Sequence, residues 1–491
     1  MARDPQGALV ALNRFGYGAR GGAAGDIANA AADPRGFVRA ELARPNAVVL
    51  ELPGLQTTPA LAQAMFDYQL EVKAAREAAA KAAPPAETAA DRKPDAPAMT
   101  GNTTMTVQPD APKPAPQPQP ANVVQKTFRA ESLARIQRAT IAECGFAERL
   151  VAFWSNHFCI SANKGEPTRM WAGSFEREAI RPHVFGRFGD MVKAVEQHPA
   201  MLFFLDNNQS IGPESRAGQH GKRGLNENLA REIMELHTLG VGGGYSQADV
   251  TTLARILTGW TFAGRDGKLG APGSFIFNAN AHEPGPQQLL GKSYADTGVS
   301  QGEAALSDIA RHPSTATFIA QKLAAHFVAD TPPPALVGRL AAAFRTSDGD
   351  LKVLATTLLE SDEAWTAPLT KMRSPYDYLI ATGRILARIP EDPGRYIGGL
   401  NLLGQPLWTP PGPNGFPDSS AAWASPEGLK LRLDLAAQVS ARIPDGLDAR
   451  DLLEVVAGEA ASAETRQTIA RAETRQQALA LLLMSPEFQR R

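Results

Sequence analysis

Cysteine is nearly missing from this chain: only Cys144 and Cys159 occur in 491 residues. Two thiols cannot build a disulfide framework or the usual multi-cysteine zinc modules. Their apparently helical, apolar settings mark them as buried thiols rather than nucleophiles. An excess of charge is missing too, since 50 Lys and Arg face 51 Asp and Glu, a formal net charge of −1. Nothing global therefore draws the protein to nucleic acid or to an anionic membrane surface. No run of about 18 uncharged apolar residues occurs, which excludes a membrane-spanning helix. The opening MARDPQGALVALNRFGYG lacks a continuous apolar segment and a twin-arginine pair. By pattern it is not a secretory signal, and the expectation is a soluble cytoplasmic protein.

Compact catalytic signatures are absent as well. There is no Gly-x-Ser-x-Gly elbow, no His-Glu-x-x-His and no Glu-x-x-His. Gly291-Lys292 lacks the glycine spacing of a Walker loop. Gly242 to Gly244 precede a helix start and read as a flexible turn rather than an anion cradle.

What the chain does have is helical periodicity. Its most regular stretch, Asn226 to Trp260, predicts two helices joined by a glycine turn. Asn226 and Asn228 are N-cap candidates, Gly240 sits where a C-cap glycine belongs, and Ser246 with Asp249 forms a capping-box pattern. At about 100° per residue, Leu229, Ala230, Ile233, Met234 and Leu236 share one side of the first helix. His237 falls inside that arc, away from Arg231, Glu232 and Glu235. In the second helix Val250, Leu253, Ala254, Leu257 and Trp260 form the stripe. A second histidine, His157, points inward from the aromatic face of Phe146, Leu150, Phe153, Trp154 and Phe158, with Asn156 at its edge. His326 falls at the edge of the apolar face of a third helix.

Between Lys81 and Gln125 the composition turns to Ala, Pro, Lys, Gln and Thr, including KPAPQPQP. That reads as a disordered insertion at 81–125 within one helical domain covering 1–491. The SFIFNANAHEPGPQQLLGKSY segment predicts two short strands around a Pro-Gly turn, placing His282 and Glu283 in an exposed position. Residues Gln405 to Trp423 carry Trp408, Phe416 and Trp423 among five prolines, so they form neither helix nor central strand. The fold class is thus mainly α: many helices, one or two small β-hairpins and long Pro/Gly-rich loops.

FWSNHFCIS at 153–161, LNENLAREIMELHTLGVGGGYSQADVTTLARILTGW at 225–260 and HPSTATFIAQKLAAHFV at 312–328 resemble a widespread bacterial family. So do LGQPLWTPPGPNGFPD at 403–418 and the final LLLMSPEFQ. It is the family catalogued as domain of unknown function number eighteen hundred, and the resemblance spans nearly the whole chain. It implies a neighbour encoded beside it, a sulfatase- or phosphatase-like protein of a second uncharacterised family, number fifteen hundred and one. It also implies a periplasmic or exported protein, since many members carry an export signal that this chain lacks.

The sequence supports two readings of function. In the first, an enzyme, His157 and His237 with Glu232 form a buried His/carboxylate site, bordered by Asn156, Arg231, Glu235 and Asp249. A divalent transition metal on His157, His237 and His282 belongs to this reading. Glu235 and His237, two residues apart on a helix, cannot ligate one ion together. In the second, a binding or assembly protein, the inward histidines only fix the packing, and Trp408 and Trp423 on the 405–423 loop meet a partner such as the sulfatase-like neighbour.

Overall fold

The structure, a computed structural model, describes residues 3–82, 121–221, 224–443 and 446–491. Most of the 81–125 insertion lies outside these residues; Val123–Gln125 already belong to a helix. The helices that position the site are α1 (Thr58–Ala82), α2 (Val123–Ile141), α3 (Phe146–His157), α4 (Glu166–Phe175) and α5 (Phe188–Glu196). Beyond them in the chain come α6 (Asn228–Glu232), α7 (Gln247–Ile256), α8 (Val299–Ala310), α9 (Pro313–Phe327) and α10 (Pro375–Ile385). Helix α2 packs on α4 and on α10, and one continuous apolar core runs from Ala8 to Phe488. Among the described residues no helix is long and apolar enough to cross a membrane.

Local chemistry sets the boundaries. Ser246 and Asp249 form the expected capping box at the start of α7. Ser374 caps α10 by accepting from Asp377 N, with Pro375 in the first turn, a position where the missing N–H costs nothing. His312 caps α9 through its own side chain, accepting from Ser314 N at 3.2 Å. Gly240 adopts φ +80 behind the first helix of the central pair. The N-cap of α6, however, is Glu227, and Asn226 holds Asn228 N from one residue further out.

Two expectations need correction. The strands on either side of the Pro-Gly turn in the 274–294 segment do not pair with each other. Phe275–Phe277 pairs back onto Trp260–Phe262 (β2 on β1), and Gln287–Leu289 pairs with Lys292–Tyr294 (β3 with β4). The cause is turn chemistry: Leu290 and Gly291 both hold positive φ, the geometry of the two-residue turn that matches strand twist. Trp260 consequently opens β1 instead of closing the stripe of α7. His282 and Glu283 are also buried, each 6 % exposed. Glu283 accepts from Glu214 N and His282 Nδ1 meets the Thr258 carbonyl.

Among the described residues three segments wind as π-helix: Val10–Phe15, Glu176–Ile180 and Ile233–His237. Such insertions rotate the residues beyond them relative to a 3.6-residue wheel. Leu236, expected in the apolar arc, is therefore half-buried while His237 is fully enclosed.

Among the described residues seven arginines (Arg14, Arg149, Arg181, Arg373, Arg384, Arg432 and Arg491) are at most 1 % exposed. Several bind backbone carbonyls at places where distant segments cross. Arg14 donates to Ala364, Ala367 and Pro368. Arg384 donates to Gly18, Ala139, Thr140, Ala142 and Glu143. The buried carbonyls among them, Ala364, Ala139, Thr140 and Ala142, cost free energy if left unpaired. Arg384→Met is accordingly expected to destabilise the protein by about 3–5 kcal/mol. Urea denaturation checks this, and a loss below about 1 kcal/mol would mean the carbonyls find water instead.

Candidate functional site

The two histidines singled out by periodicity do meet. Their ring centroids lie 6.3 Å apart, and His157 Nε2 donates to the His237 carbonyl at 3.0 Å. That contact puts the His157 proton on Nε2, and burial pushes its pKa well below the ordinary value. His237 Nδ1 lies 2.8 Å from Glu196 Oε1, both side chains fully enclosed. Glu196 sits at the end of α5, 41 residues earlier, and periodicity gave no sign of it. His157 Nδ1, His237 Nε2 and Glu196 Oε2 have no hydrogen-bond partner among the described residues. The centre is closed on all sides by Trp154, Phe158, Phe188 and Phe318.

The neighbouring candidates are placed differently. Glu232 is half-buried, which raises its carboxyl pKa. Arg231 pairs with Glu227 at 3.0 Å, and Glu235 is half-buried beside it in sequence. Asp249 is occupied twice over, by Ser246 and by Leu290 N. His282 belongs to a separate neighbourhood with Phe277 and Asp296. Among the described residues, no three His, Cys, Asp or Glu side chains gather into a group able to hold a metal.

A second polar centre, partly enclosed, lies between α3, the end of α9, the start of α10 and the 405–418 segment. It forms a cleft of about 90 Å3 lined by Arg135, Asn156, His326, Tyr376, Asp418 and Arg491, among others. That is room for a few waters or one small molecule. The 405–418 segment covers it and is fastened from below. Asn156 exchanges two hydrogen bonds with the Phe416 backbone, at 2.9 and 2.8 Å. Ser161 donates to the Pro410 carbonyl, and the Cys159 thiol to Gly412 and Pro413. Burial pushes that thiol up to about 12, so Cys159 is no thiolate nucleophile.

Trp408 and Trp423 turn inward, at 9 % and 8 % exposure. Trp408 adopts φ +48, a strained conformation for a bulky residue. Its indole nitrogen donates to Glu176 at 3.3 Å. The Arg135 guanidinium is sandwiched between Tyr376 and Trp408, 4.8 and 5.4 Å from the ring centroids, and pairs with Glu176 at 3.0 Å.

Deeper in the cleft the charges interlock. His326 Nδ1 lies 3.0 Å from Asp418 Oδ2, and its Nε2 lies 3.2 Å from Arg149 Nη2. Since Arg can only donate, Nε2 is the acceptor and the proton sits on Nδ1, toward Asp418. Arg491 reaches Asp418 at 3.1 Å and Asp377 at 3.2 Å, while Arg149 stands 3.5 Å from Asp377. Lys371 donates to the Asp418 carbonyl and to Asp330. Burial lowers the His326 pKa to about 4, with Arg491 and Arg149 adding to the effect against Asp418. Burial alone would raise Asp418, but His326, Arg491 and Lys371 hold it well below the usual carboxylate range.

Positive charge is in excess around the cleft, in residues that do not themselves line it. Arg373 and Lys322 have no carboxylate within ion-pair distance among the described residues, although both feel Asp377 or Asp418. Nε of Arg149, and Nε and Nη1 of Arg373, have no hydrogen-bond partner among the described residues. Periodicity places His326 only at the edge of a helix face. The signal that could have found this cleft is a set of charged side chains, Arg135 and Arg149 among them, at positions that helical periodicity assigns to the interior.

The chain matches a family model described as "Protein of unknown function (DUF1800)" over residues 10–490. No curated protein and no solved structure matches it.

The His326 arrangement has a consequence for stability. Unfolded, the imidazole takes a proton near pH 6.5; folded, near pH 4. Its contribution is complete above about pH 6.5 and is lost as pH falls toward 4, amounting to at most about 3 kcal/mol. In His326→Gln, urea denaturation should show a shallower loss of stability across this window, by up to one proton. An unchanged slope would mean that His326 is already protonated in the folded protein.

Proposed function

The chain belongs to the DUF1800 family, described as of unknown function, and from its own residues we propose that it is an enzyme acting on a small anionic substrate in the cleft beneath residues 405–418. The observation that carries this is the surplus of buried cations beside a partly enclosed cavity. Desolvated guanidinium groups with unpaired N–H donors raise a positive potential that a carboxylate or oxyanion relieves. Arg135, held flat between two rings, and Arg491 present the anion-binding face. His326, neutral and oriented by Asp418, is the proton acceptor once the ligand draws Arg149 away from Nε2. His157, His237 and Glu196 support the wall behind α3 in this reading, with Glu232 at its edge.

The assembly reading, with a sulfatase- or phosphatase-like neighbour as partner, draws its support from family association. The tryptophans it would expose, Trp408 and Trp423, are turned inward and bonded to Glu176 and to the Pro417 carbonyl.

A cavity-filling variant tests the proposal without unpairing any charge. Ala152 lines the cleft and is half-buried. Acetate, phosphate or sulfate should raise the melting temperature of the wild type; at about 100 times Kd the gain is about 2.7 kcal/mol. Ala152→Leu should fold with a similar melting temperature in the absence of anion and lose the anion response. Equal anion responses in the two proteins would remove the cleft as the binding site.

A further inference from the structure

The cover of the cleft is built differently from its walls. Residues 405–418 contain neither helix nor strand, so no ladder of backbone bonds holds them. Their two ends are fixed. Gln405 N donates to the Leu400 carbonyl at 2.9 Å, closing the turn after the helix Gly394–Leu402. At the other end the Pro417 carbonyl accepts from the Trp423 indole, and Asp418 is held by His326, Arg491 and Lys371. Between these ends most of the ties run to one short stretch beneath. Asn156 exchanges its two bonds with Phe416, Ser161 reaches Pro410, and Ala162 N donates to the Trp408 carbonyl at 2.8 Å. The Cys159 contacts to Gly412 and Pro413 come from a thiol, a weak donor.

Backbone freedom and stiffness alternate along the cover. Gly404 holds φ +81 with open space where a Cβ would project, so it can change conformation without a clash. Pro406, Pro410, Pro411 and Pro413 fix their own φ beyond it, which makes the arc swing as a stiff body. Gly415 is its seat: at φ +78 it presses so close to α3 that a Cβ would stand 2.5 Å from the Asn156 carbonyl oxygen. Trp408 stores strain at φ +48 that lifting relieves.

Closure also shapes the cleft. The Arg135 guanidinium lies between Tyr376, fixed on α10, and Trp408, which belongs to the arc. Lifting the arc removes one of the two rings, so Arg135 is held flat and edge-on only when the cover is shut.

We propose that residues 405–416 are a lid that lifts from the 156–162 stretch to admit the substrate, pivoting at Gly404 and at the anchored Pro417, and that a bound anion shuts it. This rests on the reading of the cleft as an anion site and adds how that site is entered and completed. An anion that meets Arg135 best in its sandwiched form binds the closed state more tightly and draws the population to it. Asp418 stays anchored throughout, so His326 keeps its partner while the lid moves.

Alkylation of the two thiols reads the motion. Cys159 lies under the lid at 4 % exposure and Cys144 in the core at 1 %. Arg384 binds the Ala142 and Glu143 carbonyls beside Cys144, so global unfolding is what frees that thiol. Folded protein is treated with N-ethylmaleimide and both cysteine peptides are followed by mass spectrometry. In the wild type Cys159 should react at least about tenfold faster than Cys144, and acetate should slow it. Gly415→Ala, which props the lid off its seat, should raise the Cys159 rate about tenfold further and lose the protection by acetate. Asn156→Ala, which removes the latch, should move the Cys159 rate the same way. One common rate for the two thiols in the wild type, or a rate ratio that neither variant changes, overturns the lid. Should acetate raise the melting temperature while the thiols react at one rate, the lid falls and the anion site stands. A fast Cys159 that ignores acetate, in a protein whose melting temperature acetate leaves unchanged, removes the anion reading and with it the ligand that shuts the lid.

Discussion

Burying a guanidinium group is permitted only where acceptors surround it, and that requirement ties this fold together. An unpaired buried ion costs several kcal/mol even after relaxation. Seven arginines are almost wholly enclosed here, so the chain must bring carbonyls and carboxylates to each of them. Arg384 does this for the start of the chain and the end of α2. Arg14 holds the Ala364–Pro368 turn, and Arg432 holds Gln489 and the Arg373 carbonyl. Segments near Arg14 and Gly18, near Ala139, at Ala364–Arg373 and at Gln489 are thereby tied together.

The same constraint creates the cleft. Arg181 is satisfied by Glu148 and Glu176, and Glu176 in turn positions Arg135, Ser155 and Trp408. Strain at Trp408 is sustained because its indole is bonded and its ring packs on Phe128 as well as Arg135. Where acceptors run short, at Arg373 and Lys322, positive potential is left over beside a cavity. Function is read at that imbalance, because a fully paired network would have nothing to offer a ligand.

Much of the helical architecture was legible from periodicity and caps. Ser246 with Asp249 marked α7, and the apolar arcs correctly turned His157 and His237 inward. The π-turn at Ile233–His237 was not legible, because a wheel of fixed pitch has no means of showing an added residue. Strand pairing failed for a related reason: the Pro-Gly dipeptide drew attention, while Leu290-Gly291 made the turn. The polar centres were only partly visible. The inward direction of His157 and His237 was legible, but Glu196, Asp377 and Asp418 reach their partners only through tertiary contacts across tens to hundreds of residues. Buried arginines are hidden in sequence because their type is usually solvated; only their place on inward faces distinguishes them.

Central to this account is that the cleft holds an anion against Arg135 and Arg491. Anomalous diffraction from crystals soaked in selenate addresses that directly. A selenium peak within hydrogen-bonding reach of Arg135 and Arg491, beneath Trp408 and Phe416, is the predicted result. A cleft without selenium, or with a divalent cation bound between Asp377 and Asp418 in manganese-soaked crystals, would contradict it.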